Sequence, residues 1–188
     1  NMQLPNNTLT RRQTSGDLDV AFDIETNGID STEIHCMVLQ DLNNGIVESF
    51  NDQTLTNSVV NGVCTLDICT NIVSHNGVMF DVPQIQKHFP FFNCNPTHWD
   101  TLILSRYFYS DLMDIDLRRR WPMMPAKLYG SHSLEAYGFR LNLHKGDYGK
   151  TSDWKEWTPE MEDYCKQDVA IVAKLWTHFR KKLLLASD

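Results

Sequence analysis

The stretch Asp19-Val20-Ala21-Phe22-Asp23-Ile24-Glu25-Thr26 sets the architecture of this chain. Val20, Phe22 and Ile24 alternate as apolar residues, and Ala21 is small enough for a buried second face. Asp19 to Ile24 therefore reads as a strand packed on both sides. Asp23 and Glu25 stand two apart, so on a strand their carboxylates point to one face. A buried strand that carries two acids at its carboxyl end calls for a reason.

Two later motifs supply partners for that pair. His75-Asn76-Gly77-Val78-Met79-Phe80-Asp81 follows Asn71 to Ser74, which reads as a short buried strand ending in a tight turn. Asp81 then opens a helix, with Pro83 near its start, where no N–H is needed. Tyr164-Cys165-Lys166-Gln167-Asp168 lies on a last helix, and its Tyr and Asp, four apart, share a face. That helix opens at Thr158-Pro159-Glu160, with Thr as N-cap and acids in the first turn. It ends in the basic turn Arg180-Lys181-Lys182. If the three motifs converge, four carboxylates crowd one spot and repel each other unless divalent cations neutralise them. Hard oxygen donors suit magnesium or manganese rather than zinc. The pattern therefore points to phosphodiester chemistry.

Other elements read less sharply. Ile34 to Leu42 and Ile46 to Phe50 are strands around Asn43-Asn44-Gly45, a hairpin turn in which Asn-Gly supplies positive φ. Leu55 to Cys69 reads as helix or loop. Trp99 to Thr101 is a brief strand, Leu102 to Tyr109 a helix, and Leu134 to Phe139 a short helix begun by Ser131/Ser133 and Glu135. Asp111 to Gly130, with two prolines and no clear period, reads as a long loop. Leu141 to Trp157 is irregular. Strands that later alternate with helices make this an α/β domain.

Bulk properties narrow the class. The 188 residues are 41% hydrophobic and 22% charged, the profile of one globular domain. The expected organisation is a poorly ordered segment over 1–16 and a single domain over 17–188. No apolar run is long enough to span a bilayer, and the polar start does not read as a signal peptide. The five cysteines are odd in number and lack CxxC pairing, which fits idle thiols better than disulfides or a zinc site. A net charge of -7 argues against a protein that coats duplex without regard to sequence. An enzyme that grips only a strand end needs few phosphate contacts. The one basic cluster, Arg118-Arg119-Arg120 with Lys127, reads equally as a solvated loop or as a contact for strand phosphates. His75 reads as a turn residue, Asp100 as an N-cap or supporting acid, and Trp154 and Trp157 as loop anchors or base-stacking rings.

Together these motifs resemble the 3′–5′ exonuclease proofreading domain of family-A DNA polymerases. The Tyr in Tyr164-x-x-x-Asp168 resembles the tyrosine (DEDDy) subclass of the DnaQ-like, ribonuclease H-like superfamily. Supporting stretches are Asp100-Thr101-Leu102-Ile103-Leu104-Ser105-Arg106, Gly130-Ser131-His132-Ser133-Leu134-Glu135-Ala136-Tyr137-Gly138 and Lys145-Gly146. The resemblance runs from about Asp19 to the C-terminus, and single-chain polymerases of podovirus-type phages are the branch it resembles. It implies a ribonuclease H-like, mixed five-stranded sheet flanked by helices.

The resemblance also implies function. Nucleotides would be removed one at a time from single-stranded or mispaired DNA 3′ ends. Two Mg2+ ions would assist, with Mn2+ able to substitute. Asp23 would bridge both ions, Glu25 and Asp168 would complete the nucleophile-side site, and Asp81 would support the other. Tyr164 would aim the attacking water. Thr26 and Ile29 would contact the terminal nucleotide, with Ile29 as an apolar wedge, and Asn76 would lie near the sugar-phosphate. A DNA polymerase domain or subunit is the implied partner, and the cytoplasm of a virus-infected bacterium the implied setting. Because the chain stops at Asp188, either a polymerase fragment or a split-gene stand-alone exonuclease is compatible with it. The competing readings are ribonuclease D-like trimming of RNA 3′ ends and a non-catalytic support module of the same fold.

Overall fold

The computed structural model describes residues 16–144 and 153–186. Most of the N-terminal segment expected to be poorly ordered, and the Lys145-Gly146 motif, lie outside the described residues. Among those described, the strands are β1 (Asp19–Thr26), β2 (Ile34–Asp41), β3 (Val47–Asn51), β4 (Asn71–Ser74) and β5 (Thr97–Asp100). The α-helices are α1 (Val59–Asp67), α2 (Asp81–His88), α3 (Thr101–Phe108), α4 (Leu112–Arg119), α5 (Leu134–Arg140) and α6 (Pro159–Leu185).

The sheet order is β3-β2-β1-β4-β5. β2 runs antiparallel to both β1 and β3, while β4 pairs parallel to β1 and β5 parallel to β4. The mixed five-stranded sheet implied by the resemblance is thus present. The β2–β3 hairpin closes through Asn44 and Gly45, and Gly45 sits at φ 76, where a side chain would be strained.

β1 is central and packed on both faces. Val20, Phe22 and Ile24 join a core with Val59, Val63 and Leu66 of α1 and Ile85 of α2. Ala21 joins a second core with Cys36, Val38 and Val73, closed by Cys165, Val169, Val172 and Trp176 of α6. Alternation along β1 therefore puts Asp23 and Glu25 on the α6 side. The parallel pairing of β1 with β4 covers Asp19 to Ala21 only, so the Asp23–Thr26 end projects beyond β4.

One expectation is corrected. Asp111 to Gly130 is not a long loop, because it contains α4 and a 3-10 turn at Ala126–Leu128. The helix was hidden because its inward residues are Leu112 and a carboxylate, Asp116. Asp116 is fully buried and accepts from Arg140 Nη2 at 2.7 Å, Arg140 Nε at 3.0 Å, Trp121 Nε1 at 2.8 Å and Gly130 N at 2.8 Å. A polar residue at a buried position breaks the apolar period on which a sequence reading depends. Two smaller shifts concern β5, which starts at Thr97 rather than Trp99, and α3, which starts at Thr101. Leu55 to Cys69 resolves into α1, whose Gly62 lets the helix approach the sheet: a Cβ there would come within 2.8 Å of Phe50.

Candidate active site

Three elements converge at the projecting end of β1. Asp23 and Glu25 come from β1 itself, Asp81 from the first residue of α2, and Tyr164 and Asp168 from α6. They line one cavity of about 290 Å³ together with Ile24, His75, Asn76, Phe80 and Trp154. All five residues that the sequence singled out for catalysis are therefore brought together.

The turn after β4 is built to place Asp81. Asp100, at the end of β5, caps α3 by accepting from Leu102 N at 2.9 Å. The same carboxylate accepts from Asn76 N at 2.9 Å and Val78 N at 3.2 Å, so it also holds the turn that leads to Asp81. The N-cap reading of Asp100 therefore holds, and the same side chain also fixes the turn before Asp81. Asn76 takes φ 63, a conformation that Asn tolerates. Gly77 is required beside it, since a Cβ there would lie 2.0 Å from Ser74 Oγ. His75 is a turn residue as expected, its Nδ1 lying 2.8 Å from Thr101 Oγ1. Burial pushes its pKa down to about 4, so it is neutral near neutral pH.

The carboxylates are packed too closely for all to be charged. Burial, and then the charges of Asp81, Glu25 and Asp168, hold the Asp23 carboxyl well above the usual range. Burial and then Asp168 do the same to Glu25. Asp81 is raised to about 7 by burial, even though its contacts with Asp23 and Ile24 N pull the other way. Asp168 is raised to about 7 by burial and by Asp81. Asp23 and Asp81 lie close enough for each to influence the other's ionisation. Among the described residues, no lysine, arginine or histidine forms an ion pair with any of the four. The four candidate donors are carboxylates, the oxygen ligands that hard divalent ions prefer.

Other residues were less visible. Phe80 lines the cavity immediately before Asp81. Trp154 packs edge-on against Tyr164 with centroids 6.0 Å apart, and its carbonyl lies 2.8 Å from His35 Nε2. Of its two sequence readings, loop anchoring is the one these contacts illustrate. Cys165 Sγ lies 3.5 Å from Asp23 Oδ2, one position from Tyr164 and on the buried side of α6. All five cysteines are free thiols, as expected.

Of the residues expected to touch substrate, Asn76 lines the cavity. Thr26 and Ile29 are not among its lining residues. Thr26 is buried and its hydroxyl donates to Gly28 O at 2.8 Å, which shapes the turn after β1. Ile29 stands 87% exposed at that turn, held by Gln84 Nε2 donating to its carbonyl.

Comparison with known proteins follows this geometry. The model of the RNase_H superfamily matches residues 20–180. The chain belongs to that superfamily. It is 32% identical over 188 residues to the DNA-directed DNA polymerase of Enterobacteria phage T3, covering 81% of this chain and 25% of that protein. It is 31% identical over 191 residues to the DNA-directed DNA polymerase of Escherichia phage T7, covering 83% of this chain and 26% of that protein. The chain thus spans about a quarter of the length of these relatives. Among solved structures it is similar to Brucella melitensis NrnC with bound Mg2+. The TM-score is 0.58 at 17% identity, over 94% of this chain and 78% of that one. The ribonuclease H-like fold implied by the sequence is therefore shown. No helix of the described residues is long and apolar enough to cross a membrane.

Proposed function

We propose that this chain is a metal-dependent 3′–5′ exonuclease acting on single-stranded or mispaired DNA 3′ ends. The observation that carries the reading is the convergence of Asp23, Glu25, Asp81 and Asp168 with Tyr164 in one small cavity. Similarity to phage DNA polymerases over most of the chain supports DNA as the substrate.

Asp23, Glu25, Asp81 and Asp168 would hold two Mg2+ ions, with Mn2+ able to take their place. Bound there, the ions supply an activated water and charge stabilisation for the phosphodiester. Tyr164, which lines the same cavity, would orient the attacking water toward the phosphorus. Burial and the surrounding carboxylates raise the Tyr164 hydroxyl far above its usual range, so it stays a donor throughout the working pH. The bond broken joins the phosphorus to the 3′ oxygen of the preceding nucleotide, which leaves and takes a proton from solvent. The exposed Ile29 serves as a wedge against the terminal base, Thr26 fixes the turn that presents it, and Asn76 faces the sugar-phosphate. In its biological setting the domain works with a DNA polymerase domain or subunit, in the cytoplasm of an infected bacterium. Residues 17–188 act as its single folded unit.

The test uses 5′-labelled DNA and RNA strands of one sequence, each incubated in Mg2+, Mn2+ and EDTA beside Asp23→Ala. A metal-dependent ladder shortening from the DNA 3′ end, absent in the variant, is expected. A ladder on RNA alone replaces this reading with RNA trimming. No ladder on either strand from folded protein leaves a support module.

A further inference from the structure

A second cavity, of about 750 Å³, lies between α4 and the C-terminal half of α6. Arg118, Arg119, Lys174 and Lys181 line it, and all four are exposed residues. In a chain of net charge -7 this gathering of cations runs against the overall balance. It includes two arginines of the basic cluster that the active site leaves unused.

The local acids do not cancel it. Asp116 is sequestered by Arg140, the indole of Trp121 and the backbone of Gly130. Asp111 reaches Arg118 at 3.9 Å, with both side chains largely in solvent, a pair of little strength. The sequestered Asp116 has a further effect, since its bond to Trp121 Nε1 fixes that half-buried ring in the cavity wall beside Arg119, whose guanidinium lies 5.3 Å from the ring centroid. Tyr109 gives a second aromatic wall. Cations beside fixed aromatic rings are the composition of grooves that hold single-stranded nucleic acid, where phosphates meet the charges and bases meet the rings.

The cavity and the acidic site both draw on α6 and are joined by a ring contact. Along α6, Asp168, Ile171, Leu175 and His178 follow one helical stripe, and the last two line the cavity. Tyr137 lines it too, and its ring meets edge-on that of His75, which lines the acidic site, with centroids 6.5 Å apart. Lys174 stands six residues beyond Asp168, about 9 Å along the helix axis.

We propose that the cleft between α4 and α6 is a second nucleic-acid contact, holding single-stranded DNA on the side away from its reacting 3′ end. The inference rests on the exonuclease reading for its choice of ligand. Substrate presentation is thereby shared between a charge-neutralised catalytic cavity and a basic, aromatic groove.

The experiment compares wild type with Arg118→Ala/Lys181→Ala, two exposed positions outside the catalytic machinery. The substrates are a trinucleotide and a single strand of about 12 nucleotides, a length within the range of single-strand grooves. The double variant is expected to raise KM for the longer strand about tenfold, two exposed charge contacts at up to about 1 kcal/mol each. Its kcat, and its kcat/KM on the trinucleotide, should match wild type. Binding of a 3′-capped labelled strand in EDTA, followed by anisotropy across a salt series, gives a measure independent of cleavage. There the log–log slope should lessen by about 1.4 for two lost phosphate contacts. Arg118→Lys/Lys181→Arg, which keeps both charges, should restore the wild-type slope. Equal affinity and slope in wild type and the alanine variant overturn the proposal, as does an equal loss on the trinucleotide. If wild type cleaves nothing, the exonuclease reading falls while the anisotropy arm still decides the cleft.

Discussion

Asp81 Oδ1 accepts the backbone N–H of Ile24 at 3.2 Å, so the first residue of α2 is tied to β1 between the two acids of that strand. β4 has already ended at this level, and its pairing with β1 stops at Ala21. The Asp81 carboxylate thus takes the place of a strand neighbour. One side chain completes the backbone bonding of β1 and sets the spacing of the acidic cluster.

Asp81→Asn should separate those two roles. The amide oxygen can still accept from Ile24, so the melting temperature should hold. Cleavage should fall at least about a hundredfold, because an ion's charge stabilisation is worth several kcal/mol. Asp81→Ala should lose the same activity and also leave a buried N–H unpaired, costing about 1–3 kcal/mol. Thermal unfolding and single-turnover cleavage of both variants check this. An active Asp81→Asn enzyme would remove Asp81 from the proposed metal set.

Tyr164→Phe tests the aiming role. Loss of one hydrogen bond to a charged or polarised partner is expected to slow turnover about 10- to 100-fold. Mn2+ binding, measured by calorimetry, should be unchanged, since the hydroxyl is not a proposed ligand. Weakened Mn2+ binding in this variant would contradict the assignment.

The raised pKa of Asp168 predicts how metal-free stability depends on pH. Its ordinary value is 3.8, and burial with the nearby Asp81 lifts it to about 7 in the fold. The folded protein therefore holds a proton that the unfolded chain has released. The stability linked to it is fully present below about pH 4 and is lost as the pH rises through about 7. Asp168→Asn cannot ionise. In EDTA its advantage in melting temperature over wild type should be near zero at pH 4, grow between, and level off above pH 7. Mg2+ at pH 8 should narrow the gap by stabilising wild type. A gap that stays constant with pH would show that Asp168 is not protonated in the metal-free fold.

The ion pair of Asp116 and Arg140, with side chains 0% and 5% exposed, predicts a structural defect rather than a catalytic one. Asp116→Ala strands a buried guanidinium and should cost about 3–5 kcal/mol, a large share of a typical stability of about 5–15 kcal/mol. Replacing both partners, as Asp116→Leu/Arg140→Met, should recover much of the loss. Urea denaturation of the three proteins is the measurement.

These same residues show what a sequence can and cannot display. β1 was legible because alternation and a small second face are local properties of eight residues. Tyr164 and Asp168 were legible because a four-residue spacing fixes a shared helix face whatever surrounds it. α4 was not, because its anchor is Asp116, a charge whose partners Trp121, Gly130 and Arg140 are dispersed along the chain. Phe80 escaped notice because an aromatic residue beside a motif has no periodicity of its own. The closeness of Cys165 to Asp23 depends on how α6 settles on the sheet, which no local pattern states.

The order of the acids along the chain has a consequence for biosynthesis. Asp23, Glu25 and Asp81 leave the ribosome early, together with all five described strands, whereas Tyr164 and Asp168 arrive on the last helix. Until α6 emerges, the sheet face bearing Ala21, Cys36, Val38 and Val73 lacks the helix that supplies most of its buried partners, and the cluster lacks its fourth carboxylate. The helix that closes the core is the one that completes the cluster. On the proposed assignment, the acidic cluster gains its full set of carboxylates only when α6 packs onto the sheet.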